Sequence, residues 1–227
     1  MRRTVRAAVG EFLGSAGLAA VVVGSGIAAQ RLSPTDVGLQ LFENAFATAL
    51  GLAVLILVLA GVSGAHFNPV VTLVDIALHR RHWSTAAIYL PAQVVGCIAG
   101  AILANVMFAV PAVAWSATDR SAWPLLLAEV VATAGLIVVI FALVRTGRSQ
   151  LAGPVVGAYI GAAYFFTSST SFANPAVTIG RMFTDTFAGI APGSVLPFVA
   201  AQFVGAALGF MVVLILFPLS TNEAAAA

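Results

Sequence analysis

Apolar residues run almost unbroken near positions 6–29, 38–60, 84–110, 122–144, 151–168 and 194–218, with turn-forming or charged residues between the runs. Crossing a hydrocarbon core of roughly 30 Å takes about 20 mostly apolar helical residues. The pattern therefore predicts six membrane-spanning helices. Two further apolar stretches, 68–78 and 174–184, have about half that reach, and each opens with Asn-Pro. Proline suits the first helical position, where no N–H is needed, and the asparagine before it can cap the exposed amides. These stretches are predicted to be re-entrant half-helices.

Composition agrees. With 61% hydrophobic and 8% charged residues in 227, the chain has too few charges to coat a water-soluble globule and no stretch for a separate soluble domain. It reads as one transmembrane domain over 1–227, with the lipid bilayer as its surroundings. All ten basic residues are arginines. Arg2, Arg3 and Arg6, then Arg80 and Arg81, then Arg145 and Arg148 fall on alternate connections, which the positive-inside rule places in the cytoplasm together with both chain ends. Arg31, Arg120 and Arg181 fall to the other side. No basic face with interleaved aromatics occurs, so nucleic acid is not an expected partner. The one cysteine, Cys97, lies in an apolar run, which excludes an internal disulfide, leaves no Cys/His spacing for a metal and predicts a packed thiol. The basic start followed by apolar sequence has the outline of a signal peptide, but Gly10, Glu11 and Gly14 interrupt it and the run continues to Ala29, which predicts a retained span.

The chain also repeats itself. EFLGSAG from Glu11 matches EVVATAG from Glu129, SGAHFNPVVT from Ser63 matches STSFANPAVT, and AQVVG from Ala92 matches AQFVG from Ala201, all in the same order. Each half, about 1–114 and 115–227, holds three spans and one half-helix. An odd number of crossings makes the second copy enter from the opposite face, so the repeat is inverted and the half-helices meet by their amino ends near the midplane. Irregular backbone is tolerated inside a bilayer only where protein or a water-filled cavity satisfies it, so a cavity is expected at the junction. Two positive helix ends there repel cations and hopping protons, and the amide NH₂ groups of Asn68 and Asn174 are expected to face the lumen. Glycines four apart (Gly10 and Gly14, Gly96 and Gly100, Gly153, Gly157 and Gly161, Gly205 and Gly209) predict close helix packing. Gln93 and Gln202, equivalent in the repeat, predict hydrogen bonds between helices. His79 and His82, beside Arg80 and Arg81, predict a solvated turn.

On these motifs the sequence resembles the aquaporin and aquaglyceroporin channels, or major intrinsic proteins, whose signature is a duplicated Asn-Pro-Ala. The resemblance extends over nearly the whole chain. It implies an all-α membrane protein of six transmembrane helices and two re-entrant half-helices, acting as a passive channel for water or small uncharged or polar solutes. It further implies a homotetramer in the inner (plasma) membrane, with no cofactor, metal or catalytic residue. Asn68, Pro69 and Val70, with valine in place of the family's alanine, and Asn174, Pro175 and Ala176 match the pore junction. Glu11 and Glu129 match buried glutamates that brace the half-helix loops, and His66 a loop histidine of the inner vestibule. Spacing from the two asparagines carries the selectivity filter onto Thr48, Ala162, Ser171 and Val177, where the family commonly has bulky aromatic, histidine, cysteine and, at 177, arginine side chains. A wider, less polar filter follows, open to larger solutes such as glycerol, metalloid hydroxides or methylated arsenicals. Loss of that arginine resembles a bacterial branch associated with arsenic-resistance operons. Arg181, four residues beyond Val177 and so on the same helical face, is expected either to place a displaced guanidinium in the outer vestibule, attracting polar or anionic solutes, or to snorkel to headgroups.

The competing reading is a proton-coupled secondary transporter, because inverted repeats and broken helices also build carriers. Its acids would be Glu11 and Glu129, whose symmetric placement suits bracing better. No nucleophile, base and orienting acid fall into a catalytic arrangement, and the central asparagines do not titrate, so an enzyme is not expected.

Overall fold

The apolar runs form helices in a computed structural model that describes residues 2–79 and 82–218. Arg80 and Arg81 of the expected cytoplasmic cluster, and the chain beyond residue 218, lie outside the described residues. Helices α1 (Arg2–Leu32), α2 (Val37–Ser63), α4 (Ser84–Met107), α5 (Trp123–Arg145) and α8 (Pro192–Leu216) are each long and apolar enough to cross a membrane. Between them lie α3 (Pro69–His79), α6 (Ala152–Phe166) and α7 (Pro175–Arg181), and no strand occurs among the described residues. Side chains such as Leu57, Val58, Leu196 and Ile215 are exposed on the outside, as suits a surface that meets lipid rather than water.

Three helices are shorter than expected. Helix α6 has 15 residues instead of spanning 151–168, and a 3₁₀ turn over Ser149–Leu151 leads into it. At about 1.5 Å per residue α6 alone is shorter than a hydrocarbon core. Helix α4 stops at Met107 rather than 110, where Ala109 takes a left-handed φ of 53° and Arg31 Nη2 donates to the Phe108 carbonyl at 2.5 Å. Helix α7 ends at Arg181 rather than 184, because the next carbonyls are recruited by the loop before α5: Ser116 N donates to Met182 O and Ala114 N to Phe183 O.

Packing joins the two halves. Helix α1 lies against α4 and α2, α5 against α8, and α2 against α6, while α7 of the second half rests on α4 of the first and α3 touches both α4 and α8. The approach is close because glycines face backbone. A Cβ on Gly96 would stand 2.5 Å from the Phe12 carbonyl oxygen, and one on Gly205 would collide with the Val130 carbonyl, so the same contact occurs at equivalent places in each half. Cys97 is fully buried at this seam, its Sγ 3.6 Å from Ser15 O.

Candidate pore and its constriction

The two short helices start head to head. Asn68 Oδ1 accepts from Val70 N at 3.1 Å, and Asn174 Oδ1 accepts from Ala176 N at 2.9 Å and Val177 N at 3.3 Å, so each asparagine caps its own half-helix. Each Nδ2 then reaches across: Asn68 donates to Ala173 O and Asn174 to Phe67 O, both at 2.8 Å. The expected free NH₂ groups are therefore half committed. One amide hydrogen of each holds the opposite loop, and the second remains for the lumen.

Both loops adopt the same unusual backbone. Ala65 and Phe67 before Asn68, and Ser171 and Ala173 before Asn174, have φ between 48° and 53°, a left-handed conformation that costs non-glycine residues roughly 1–2 kcal/mol each. Buried carboxylates offset it. Glu11 accepts from Ser63 Oγ (2.6 Å), His66 N (3.0 Å), Phe67 N (2.7 Å) and Gln93 Nε2 (2.7 Å). Glu129 accepts from Phe172 N (2.9 Å), Ala173 N (2.8 Å) and Gln202 Nε2 (2.6 Å). Gln93 and Gln202 also donate to Thr72 Oγ1 and Thr178 Oγ1, at 2.9 and 2.8 Å. The glutamines thus tie each glutamate to its half-helix, a more specific task than bonding helix to helix.

An internal cavity of about 60 Å³ runs past the junction, with Asn68, Asn174, Thr48, Ser171, Val177 and Arg181 on its wall. Pro69, Val70, Pro175 and Ala176 are buried behind it, and Val70 packs instead with Val74, Ile137 and Phe141. Ala162 does not reach the cavity: it lies on the exposed face of α6. Tyr164 holds the inward position, its hydroxyl 3.2 Å from Thr48 Oγ1. The two residues are about 200° apart around a helix at 3.6 residues per turn, so a two-residue offset in counted spacing selects the opposite face.

Arg181 does not snorkel. It is 2% exposed and on the cavity wall, its Nε donates to Ala188 O, and its guanidinium carbon lies 3.4 Å from the centroid of the Phe172 ring. Arg120, from the loop before α5, places its own guanidinium carbon 5.0 Å from the same ring and donates Nε to Gly189 O at 2.9 Å. Burial lowers the Arg120 pKa from its ordinary value, partly opposed by Glu129. Beside it, hydrogen bonds from Ser121 and then Ser194 hold the Asp119 carboxyl down at about 2. Spacing along the sequence does not single out Tyr164 or Phe172, since nothing in it says which face an aromatic takes, and it gives Arg120 a side of the membrane but no place at the cavity.

Below the junction the passage opens into a chamber of about 490 Å³. His66 borders both spaces, its Nδ1 3.1 Å from Thr72 Oγ1 and its Nε2 3.7 Å from Asp75, whose other oxygen is 2.8 Å from His79 Nδ1. His79 thus belongs to the chamber wall as well as to the turn, whereas His82 is exposed and pairs with Ser84.

A narrow cavity crossing the head-to-head junction of two half-helices is the geometry of a channel, and residues 1–172 match the family model described as Major intrinsic protein. The chain belongs to that family. It is 47% identical over 201 residues to aquaglyceroporin AqpS of Rhizobium meliloti (strain 1021), which covers 88% of this chain and 85% of that protein. It is 32% identical over 192 residues to the probable aquaporin TIP1-2 of Oryza sativa subsp. japonica, with 78% and 74% covered. The X-ray structure of the aquaglyceroporin from Plasmodium falciparum superposes with a TM-score of 0.72 over 99% of this chain and all of that one, at 22% identity, which establishes the shared fold. This major intrinsic protein is accordingly an all-helical membrane channel that passes water or small solutes passively, and not an enzyme. The carrier alternative loses its ground.

Proposed function

We propose that this channel conducts solutes larger than water through an outer constriction formed by Thr48, Tyr164, Ser171 and Val177, which has no arginine at position 177. Glycerol, metalloid hydroxides and methylated arsenicals are its candidate solutes. The observation that carries the reading is Val177 on the cavity wall, one residue past the Asn174-Pro175-Ala176 motif, with a short aliphatic side chain and no donor to offer. The likeness to a bacterial aquaglyceroporin supports a range that includes polyols. Asn68 and Asn174 then form the barrier to cations, since both half-helix amino ends and the remaining amide hydrogens point at one place. Glu11 and Glu129 act as braces that hold the loop carbonyls in place for passing solutes, and His66 shapes the inner mouth.

In the same reading the chain is one domain of two inverted halves, about 1–114 and 115–227, assembled as a homotetramer with one pore per subunit. It lies in the inner membrane with both ends in the cytoplasm, an orientation supported by the arginine clusters on alternate connections. The test is a proteoliposome swelling panel of water, glycerol, urea, arsenous acid and methylated arsenicals for the wild type and Val177→Arg. The substitution is expected to narrow the range toward the smallest neutral solutes. Identical profiles for the two proteins would overturn the reading.

A further inference from the structure

The outer part of the cavity is unusually rich in hydrogen-bond donors that no protein group uses. Arg181 spends only Nε on the protein, on Ala188 O, and among the described residues its two terminal nitrogens have no hydrogen-bond partner although the residue is 98% buried. Ser171 Oγ is buried on the same wall and likewise unpartnered. Among the described residues the Tyr164 and Thr48 hydroxyls bond only to each other, so one of their two hydrogens is left over. Unused donors in a buried site cost stability unless something accepts from them. Among the described residues no carboxylate lines this cavity.

The charge balance points the same way. Neither Arg181 nor Arg120 forms an ion pair among the described residues, and both guanidiniums lie against Phe172. Glu129 is the nearest buried acid, and its two oxygens are occupied by Phe172 N, Ala173 N and Gln202 Nε2. Two positive charges therefore face one braced negative charge, which leaves a net positive site. Guanidinium nitrogens bind oxyacids with two parallel N–H···O bonds, a geometry that a carbonyl or a single hydroxyl does not satisfy.

Resting on the channel reading, we propose that Arg181, Ser171 and the Tyr164–Thr48 pair form a binding site in the outer pore for small oxyacids carrying a single negative charge. The phenyl ring of Phe172 fixes the plane of the Arg181 guanidinium so that its terminal nitrogens face the lumen. Recognition of solute thus moves from position 177 to a guanidinium one helical turn further out.

The test uses methanesulfonate, which stays a monoanion at every working pH, and dimethyl sulfone, its neutral isostere. Ligand-detected saturation-transfer NMR on the full chain in detergent should give a methanesulfonate methyl signal at least about fivefold above that of dimethyl sulfone. Arg181→Gln should lower it by a similar factor, and Arg181→Lys should restore part. Equal signals from the two ligands on the wild type would overturn the proposal without recourse to any variant, as would a signal that Arg181→Gln leaves intact in a folded protein. Glycerol swelling of wild-type proteoliposomes separates the two ideas. Glycerol flux without methanesulfonate binding sinks the oxyacid site alone, whereas absence of glycerol flux counts against the proposed passage of solutes larger than water and leaves the binding result standing by itself.

Discussion

Asn68 and Asn174 each donate to the carbonyl that precedes the other, Asn68 Nδ2 to Ala173 O and Asn174 Nδ2 to Phe67 O, both at 2.8 Å. The two caps are thereby one structure. Each asparagine orders its own half-helix through Oδ1 and the opposite loop through Nδ2, so loss of either disturbs both sides of the junction.

Asn174→Ala removes a cap worth about 1 kcal/mol and leaves the Phe67 carbonyl buried and unpaired, for roughly 1–3 kcal/mol more. Asn68→Ala does the equivalent to Ala173 O. Because the two residues share one network, the double variant should lose less than the sum of the singles. Thermal unfolding of the four proteins in one detergent measures this, and strict additivity would contradict a shared junction.

Glu129→Gln replaces a carboxylate that accepts three hydrogen bonds with an amide whose NH₂ faces other donors. Charge-assisted bonds contribute about 1.5–3 kcal/mol each, so the loop around Ser171–Ala173 should loosen by several kcal/mol, on the order of 3. Glu129 also offsets the charges of Arg120 and Arg181, a load that Glu11 does not carry. Glu129→Gln should consequently lower the melting midpoint more than Glu11→Gln, and the reverse order would refute the electrostatic part of this account.

Tyr164 and Ala162 separate the observed constriction from the one counted along the sequence. Tyr164→Ala enlarges the outer cavity and should raise uptake of a four-carbon polyol relative to glycerol at least about threefold. Ala162→Phe, on the exposed face of α6, should leave that ratio within about twofold of wild type. Swelling rates read both, and the opposite pattern would restore Ala162 to the pore.

Asp119 predicts a pH dependence in the loop before α5. Its folded pKa of about 2 lies below the ordinary carboxylate value of about 3.9. The hydrogen bonds from Ser121 and Ser194 therefore contribute fully above about pH 4 and are lost as pH falls through 2. Pepsin cleavage of the loop, normalised to Asp119→Ala, should be slowest relative to that variant near pH 4 and approach it toward pH 2. A ratio that stays flat over this window would remove Asp119 from the loop's stability.

Much of this architecture is written in one dimension. Helix lengths follow from apolar runs, and the Asn-Pro pairs mark helix starts because capping and the missing proline N–H are local chemistry. The duplicated Glu, Asn-Pro and Gln letters correspond to contacts that occur in each half: Glu11 to Phe67 N and Gln93, Glu129 to Ala173 N and Gln202. The ends of α4 and α7 were less legible, since Arg31 and the segment around Ser116 decide them from far along the chain.

The sequence by itself determined that the chain is a membrane protein of apolar helices with two capped half-helices in a duplicated order, because hydrophobic reach, capping and repetition are properties of neighbouring residues. Only the tertiary structure decided which side chains the passage sees. Tyr164 faces the cavity where Ala162 was counted, because each residue turns a helix by about 100° and fixed spacing does not register where a helix ends. Arg181 turns inward onto Phe172 because Ala188 O and an aromatic face from other segments meet its guanidinium there.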